Sequence, residues 1–161
     1  MIFLRKNILL KSCYNNARNG VSDWRIVLTV KNDLSELKKI FDDVEAICTE
    51  YKLSEDLCNN LCLCIDEIFS NIIKYAYNDN EEHDIDIIFD FNERERIVKI
   101  TVTDDGVPFN PLEAKQPDLF EDLLEREIGS LGIYIVSNIM CKIEYNRINN
   151  KNNLVMSKKV D

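Results

Sequence analysis

Residues 54–77, SEDLCNNLCLCIDEIFSNIIKYAY, have the pattern of one long helix with an apolar face. Ser54 suits the N-cap because its hydroxyl can accept a hydrogen bond from a free amide of the first turn. Glu55 and Asp56 follow, where the helix dipole favours negative charge. Apolar side chains then recur every three or four residues, as on a face that packs on a core; they are Leu57, Leu61, Cys64, Ile65, Ile68, Phe69, Ile72, Ile73 and Ala76. We predict that the rest of the fold packs on this helix.

Two polar residues flank the apolar face of this helix. Glu67 and Asn71 are four residues apart, so they project from one side of the helix about one turn from each other. A carboxylate and a carboxamide in this geometry can place a general base beside a ligand for a hard metal ion. The alternative is that both side chains lie on a solvated edge. These two residues alone do not decide between the two interpretations.

Composition indicates one soluble globular domain. Of the 161 residues 45% are hydrophobic and 30% charged, and no apolar run approaches the roughly 18 residues of a membrane span. The formal net charge of -9 argues against nonspecific nucleic-acid binding, which needs clustered Lys and Arg. Arg5, Lys6 and Lys11 interrupt the apolar start that a signal peptide would keep uncharged. We therefore expect a cytoplasmic protein without a membrane or nucleic-acid partner.

Hydrophobic periodicity predicts the remaining elements in the order strand, helix, central helix, two strands, lid, helix, two strands. The predicted strands are 24–30, 84–91, 97–105, 141–148 and 153–160, and the flanking helices are 33–52 and 129–140. Residues 1–21 have no clean period and are interpreted as an N-terminal extension to a domain at 22–161. Asp33 and Glu36 have the spacing of a capping box, Leu34 opens an apolar stripe, and His83 lies in a polar turn where we expect solvent exposure.

This order of elements favours an α+β fold, a two-layer α/β sandwich with helices on one face of the sheet. A Rossmann domain is disfavoured because no glycine fingerprint follows the first strand. Residues 107–128 contain three prolines and an acidic run, and a connection this long in a small domain is usually a functional lid or a disordered segment.

Two further stretches point to a nucleotide pocket. Asp104-Asp105-Gly106 ends a predicted strand, where a carboxylate can accept from an exocyclic amine and a glycine lets a flat base approach the backbone. Residues 129–132, GSLG, open a helix whose free amides attract an anion. The alternatives are that Asp104 only caps a turn and that Gly129 and Gly132 only permit close helix packing. The joint order and spacing favour a nucleotide site.

Three stretches carry a resemblance to a known family: residues 67–77 (EIFSNIIKYAY), 104–111 (DDGVPFNP) and 129–136 (GSLGIYIV). They resemble the N, G1 and G2 boxes of the GHKL, or Bergerat-fold, ATPases, and among these the anti-sigma factor serine/threonine kinases. The likeness covers residues 24–160. It implies a Bergerat-type sandwich with a mixed, mostly antiparallel sheet, ATP and Mg²⁺ under a flexible lid, and often a homodimer.

Transferred residue by residue, the resemblance makes Glu67 the catalytic base and Asn71 the Mg²⁺ ligand. Asp104 becomes the adenine contact, with Gly106 as its neighbour. The other implied nucleotide-binding residues belong to the lid and the helix after it: Arg126, which matches a lid arginine that approaches the γ-phosphate, Gly129, Ser130 and Gly132. Two positions depart from the family pattern, because Tyr75 stands where histidine is common and Ser130 where glycine is frequent.

Two functions follow from this resemblance. The first is an ATP-dependent anti-sigma factor serine/threonine protein kinase that phosphorylates a STAS-type anti-anti-sigma protein and otherwise sequesters a sigma factor. The second is a nucleotide-binding regulatory module without significant kinase activity. A histidine-kinase catalytic domain is disfavoured because no helical hairpin with a phospho-acceptor histidine precedes the domain, and gyrase-like ATPases need a following domain that supplies a lysine.

Overall fold

Five strands form one sheet in the spatial order β1-β2-β3-β5-β4. The computed structural model describes residues 23–113 and 130–160, and all structural statements refer to them. The strands are β1 Trp24–Lys31, β2 Asp84–Asn92, β3 Ile97–Asp104, β4 Lys142–Ile148 and β5 Lys151–Lys159. The α+β class is confirmed. The resemblance implied a mixed sheet, whereas each of the four pairings between these strands is antiparallel.

One face of the sheet is apolar because side chains alternate between the two faces of each strand. Directly paired residues form a row across four strands, and all four are buried: Ile26, Phe89, Ile100 and Met156. Three helices complete the fold: α1 Glu36–Glu50, α2 Glu55–Tyr75 and α3 Ser130–Ile139. The buried side chains of α1 and α2 join those of the sheet in one hydrophobic core, which is the predicted two-layer arrangement.

The central helix α2 follows its prediction closely. Ser54 is its N-cap, and Ser54 Oγ accepts a hydrogen bond of 3.2 Å from the amide of Leu57. Most of the predicted apolar face is buried, whereas Ile72 and Ile73 are only half-buried. Within the described ranges, none of the helices combines the length and apolar character needed to cross a membrane.

Helix α1 differs from its prediction at both ends. Ser35 occupies the N-cap position without a side-chain cap, and Asp33 instead accepts from the amide of Ser35 at 2.7 Å, so the predicted capping box does not form. Leu34 lies in the preceding turn and is 45% exposed, so its predicted burial was wrong. The helix ends at Glu50 because Lys52 adopts a positive φ of 53°, which an α-helix does not accommodate.

A two-residue turn joins β4 to β5, where the sequence predicted a longer loop over 149–153. Asn149 and Asn150 both have positive φ, 51° and 62°, as a type I′ hairpin turn requires. Strand β5 therefore begins at Lys151 and includes Asn152, which pairs with Asp104 on β3. This register brings a second polar side chain to the end of β3.

Candidate functional site

A pocket lies between α2, α3 and the neighbouring end of the sheet. It encloses about 480 Å³ of empty space, including the part open to solvent. Most of its walls are apolar side chains from α2, α3, the sheet and the segment after β3: Ile68, Ile72, Ala76, Val102, Phe109, Pro111, Ile133 and Leu154. Its polar side chains include Asn71 on α2, Asp104 on β3 and Asn152 on β5. An apolar cleft with a few convergent polar groups is the usual form of a ligand site.

Asp104 is a buried carboxylate at the end of β3 with only 4% of its surface exposed. Its Oδ1 accepts hydrogen bonds from the amide of Gly106 at 2.9 Å and from Nδ2 of Asn152 at 2.8 Å. Asp104 therefore caps the following turn, as the simpler interpretation proposed, and also lines the pocket. Both bonds use Oδ1, and no side chain or amide in the described part of the chain donates to Oδ2. That oxygen is left as the acceptor that a ligand can use.

Burial raises the pKa of Asp104 above its ordinary value. The hydrogen bonds from Asn152 and Gly106 act in the opposite direction because they stabilise the charged form, whereas the charge of Asp105 raises the pKa further. Arg147 lowers it as a nearby cation. The carboxylate is therefore held in place by donors that offset part of the cost of its burial.

Asn152 is a functional-site candidate that sequence reasoning missed. Its Nδ2 donates to Asp104 and to the carbonyl of Val107 at 3.0 Å, while its Oδ1 accepts from the hydroxyl of Tyr145 at 2.8 Å and from Nη1 of Arg147 at 2.7 Å. Both ends of this buried carboxamide are thus satisfied. Its only sequence signal was a polar residue beside a turn, since the two-residue turn that places Asn152 in β5 was not foreseen.

Gly106 lets the turn after β3 pack closely against the C-terminal end of α2. A Cβ at this position would lie 2.5 Å from Cβ of Ala76 and 2.7 Å from its carbonyl oxygen. The next amide, that of Val107, donates to the same carbonyl at 2.8 Å, and Nη1 of Arg147 donates to the carbonyl of Gly106 at 3.1 Å. The absence of a side chain therefore lets the turn approach the helix closely beside the pocket.

Glu67 and Asn71 occupy different parts of the site. Asn71 lines the pocket, whereas Glu67 lies one turn earlier on α2, outside the lining, and faces Gly132 on α3. Both side chains are partly buried, and neither has a hydrogen-bond partner in the described part of the chain. A Cβ on Gly132 would overlap Oε2 of Glu67. Gly132 thus permits close helix packing, which was the alternative interpretation of this glycine.

Three other predicted site residues, Arg126, Gly129 and Ser130, lie wholly or partly outside the described part of the chain. Arg126 and Gly129 lie outside the described residues. Ser130 is the first residue of α3 within the described range, and its side chain is outside the described part. The structure therefore brings Asn71 and Asp104 together at one pocket. Gly106 lies in the turn after Asp104, and the Glu67–Gly132 contact is outside the pocket lining.

The side chains of the site suit a metal ion that is carried by a ligand. In residues 23–113 and 130–160, no group of three or more His, Cys, Asp or Glu side chains could hold a metal ion. Mg²⁺ commonly takes only one or two protein oxygens and fills its other positions with phosphate and water. The carboxamide of Asn71 at the wall of the pocket has an oxygen of this kind. These residues fit a magnesium–phosphate complex and do not fit a metal bound by the protein alone.

A comparison of the sequence with known families agrees with this geometry. The model of a family described as the histidine kinase-like ATPase domain matches residues 30–158. The chain belongs to this family. One curated relative, the serine/threonine-protein kinase BtrW of Bordetella bronchiseptica, is 26% identical over 114 residues, which cover 71% of this chain and 79% of the relative.

Proposed function

We propose that this protein is an ATP-dependent anti-sigma factor serine/threonine protein kinase that phosphorylates a STAS-type anti-anti-sigma protein and thereby regulates a sigma factor. The proposal depends mainly on one observation: Asp104 and Asn71 line the same apolar pocket, and Glu67 precedes Asn71 by one turn of α2. This order matches a nucleotide with its base at Asp104, its phosphates at Asn71 and its terminal phosphoryl group toward Glu67. The kinase named among the relatives supports the same reaction class.

Adenine recognition would depend on Asp104. Its Oδ2 accepts a hydrogen bond from the exocyclic amine of the base, while Oδ1 stays fixed by Asn152 and Gly106. The apolar walls from α2 and α3, including Ile72 and Ile133, cover the faces of the ring. A carboxylate selects adenine over a base that presents a carbonyl at the same position, because two acceptors would face each other without a donor.

Glu67 would act as the general base in phosphoryl transfer. It accepts the proton of the substrate serine as the hydroxyl oxygen bonds to the γ-phosphorus and the bond to the ADP oxygen breaks. Mg²⁺, when bound at Asn71 with the phosphates, supplies positive charge that offsets the charge of the triphosphate. Gly129, Ser130 and Gly132 would offer the start of α3 to the phosphates, and Arg126 would approach the γ-phosphate from the lid.

A kinase assay with Mg-ATP and a candidate STAS-type protein tests the proposal. Wild type should yield phosphoserine on the candidate, and Glu67→Gln should reduce the rate by about 10²- to 10⁴-fold with little change in nucleotide affinity. Asp66→Asn is the matched control because this neighbouring carboxylate accepts from Ser70 Oγ at 3.3 Å and has no proposed role. Failure of wild type to form phosphoserine, or equal rates with Glu67→Ala, would end the kinase proposal.

The wider setting belongs to the same proposal. We infer a cytoplasmic homodimer whose partners are the STAS-type protein and the sigma factor, with no direct nucleic-acid or membrane contact. Analytical ultracentrifugation with and without ADP tests the dimer, and co-purification of sigma factor tests the partner. A monomer under both conditions would refute the dimer without touching the kinase proposal.

One observation favours the second function, a nucleotide-binding regulatory module without significant kinase activity. Glu67 packs against Gly132 instead of lining the pocket, which would leave the carboxylate short of a phosphoryl acceptor. Calorimetry that detects tight ADP and ATP binding, together with partner capture and no turnover, would select this function. The two functions share the purine site and differ only at Glu67.

A further inference from the structure

The only histidine of the chain, His83, bridges two carboxylates beside the purine pocket. Its Nδ1 lies 3.1 Å from Oδ1 of Asp105, and its Nε2 lies 3.0 Å from Oδ1 of Asp79. The ring also stacks on Tyr77 with a centroid separation of 4.2 Å and an interplanar angle of 19°. The side chain is only 20% exposed, so the expectation of a solvent-exposed histidine was wrong.

This geometry requires the charged form of the ring. Ionised carboxylates only accept hydrogen bonds, and a neutral imidazole has one N–H, whereas an imidazolium has two. Only protonated His83 can therefore donate to Asp79 and Asp105 at the same time. The hydrogen bond to Asp79 raises the pKa of His83 above its ordinary value, partial removal from water lowers it, and the charge of Asp105 raises it. Deprotonation must leave one carboxylate without its donor.

The backbone of His83 is fixed independently of its ring. Its amide donates to Oδ1 of Asn32 at 2.9 Å, and its carbonyl accepts from the amide of Asn32 at 3.1 Å. Asn32 directly follows β1, so the sheet anchors the segment that carries the imidazole. The ring therefore connects an anchored backbone to the side chain of Asp105.

Asp105 lies between Asp104, which lines the pocket and is the proposed purine contact, and the turn residue Gly106. Asp104 precedes it, and Gly106, whose amide donates to Oδ1 of Asp104, follows it. Gly106 is packed on Ala76, whereas Asp105 is exposed apart from its contacts with His83 and Tyr77. Movement of Asp105 would be transmitted to the carboxylate of Asp104 through one peptide unit on its C-terminal side.

Neither of the other titratable groups near His83, Tyr77 and Lys31, supplies a positive charge to Asp79 and Asp105 in place of the imidazolium. Burial, and then the charges of Asp104 and Asp105, raise the pKa of the Tyr77 phenol, so the tyrosine stays neutral. On the strands that flank His83, Lys31 forms ion pairs with Glu82 at 2.9 Å and Asp84 at 2.8 Å. That lysine is already committed to two carboxylates.

We propose that His83 is a positioning residue for purine binding: its imidazolium holds Asp105, and with it the Asp104–Gly106 turn, in the conformation that the base requires, so that deprotonation of His83 weakens nucleotide binding. This inference rests on the proposed purine site. The pKa of His83 in the folded protein lies above the ordinary 6.5, so the bridge is complete below that value and is lost as pH rises through the raised pKa.

Calorimetric titration with ADP from about pH 6.5 to 9.5 tests the inference on wild type and His83→Gln in parallel. Wild-type affinity should fall by about fivefold or more across the titration of His83, in the range of ordinary coupling between linked sites. His83→Gln should have a weaker affinity that lacks this pH dependence. The nucleotide phosphate also ionises near this pH range. Its effect is common to both proteins, so the difference between wild type and His83→Gln reports His83 alone.

The ring resonances of the only histidine give a second measurement that needs no variant. Coupling is reciprocal, so saturation with ADP should raise the NMR pKa of His83 by about 0.7 for a fivefold change in affinity. Asp105→Asn should lower that pKa, whereas Asp42→Asn, which removes one partner of the Lys38–Asp42 surface pair at 3.5 Å on α1, should not change it. An unchanged pKa with ADP and a pH-independent affinity would overturn the inference while leaving the purine site intact. Absence of any ADP binding would instead overturn the proposed function.

Discussion

Asn152 on β5 donates a hydrogen bond of 2.8 Å to the buried carboxylate of Asp104 on β3, its direct neighbour in the sheet register. The same Nδ2 donates to Val107, so one carboxamide holds both the carboxylate and the chain beyond the turn. Asn152 thereby reserves one oxygen of Asp104 for the protein and leaves the other for a ligand. In the proposed function, base recognition therefore depends on a residue of the adjacent strand as well as on the stretch at 104–111.

Asn152→Ala should weaken both the fold and the proposed nucleotide site. It removes a donor from the buried carboxylate of Asp104 and from the carbonyl of Val107, which costs about 1–3 kcal/mol of the free energy of unfolding. Urea denaturation measures this loss, and calorimetry with ADP measures the affinity. Asn146→Ala is the control because Asn146 is an exposed residue of β4. Full retention of affinity by Asn152→Ala would contradict the positioning role.

Gly106→Ala should destabilise the protein because its Cβ meets backbone as well as a side chain of Ala76. We expect a loss of about 1–3 kcal/mol in the free energy of unfolding, typical of overpacking. Adding Ala76→Gly should restore only part of it, since the carbonyl oxygen 2.7 Å from the new Cβ remains. Thermal and urea unfolding of the single and double variants measure the recovery. Complete recovery would assign the whole effect to the methyl of Ala76.

Gly132→Ala should affect catalysis more than stability, if Glu67 is the base. The new Cβ would displace the flexible end of Glu67, which can rotate at modest cost, but the carboxylate would leave its position. We expect phosphoryl transfer to fall by about tenfold or more, within the contribution of a general base. Urea unfolding and kinase assays of Gly132→Ala and of the double variant Gly132→Ala with Glu67→Ala separate the effect on stability from the effect on catalysis. The second substitution should relieve the clash without restoring activity.

Asp104→Asn should separate purine binding from stability. Its Oδ1 can keep both hydrogen bonds that Asp104 accepts, and it avoids the cost of a buried charge, so the free energy of unfolding at neutral pH should stay equal or rise by about 1 kcal/mol. ADP binding should be lost, because an NH₂ group would face the exocyclic amine. Circular dichroism and calorimetry on the same samples measure both quantities.

The pH dependence of that comparison follows from the raised pKa of Asp104. The folded protein binds the proton of the Asp104 carboxyl more tightly than the unfolded chain does. Protonated Asp104 therefore contributes its full stability below pH 3.8, and this contribution is lost as pH rises through the raised pKa. The stability difference between Asp104→Asn and wild type should therefore shrink as pH falls toward 3.8. A difference that grows on acidification would contradict the sign.

The sequence predicted best what is determined locally. The three-to-four spacing of α2 and the Ser54 cap depend on neighbours within two turns, and both were confirmed. Leu34 was misassigned because its apolar character fits a helix stripe, while the backbone before α1 is still a turn. His83 was misassigned because its partner Asp105 is 22 residues away and the contact exists only once β3 has paired in the sheet.

The candidate site was predictable in part for the same reason. Asn71 and Asp104 were identified from motif order, and the structure places both at one pocket. Asn152 was missed because a stretch of asparagines and one lysine, NNKNN, does not reveal where a turn ends and a strand begins. Only the positive φ at Asn149 and Asn150 fixes that boundary.

The turn at Asn149-Asn150 therefore determines which side chains of β5 face the pocket, although the turn itself does not line it. Lengthening it by one residue would slide β5 by one position and reverse every side chain along it. Asn152 would then point to the other face of the sheet, Lys151 would take its place opposite Asp104, and Leu154 and Met156 would leave the core. An insertion of two residues would keep these side chains on their present faces, because side chains alternate along a strand with a period of two.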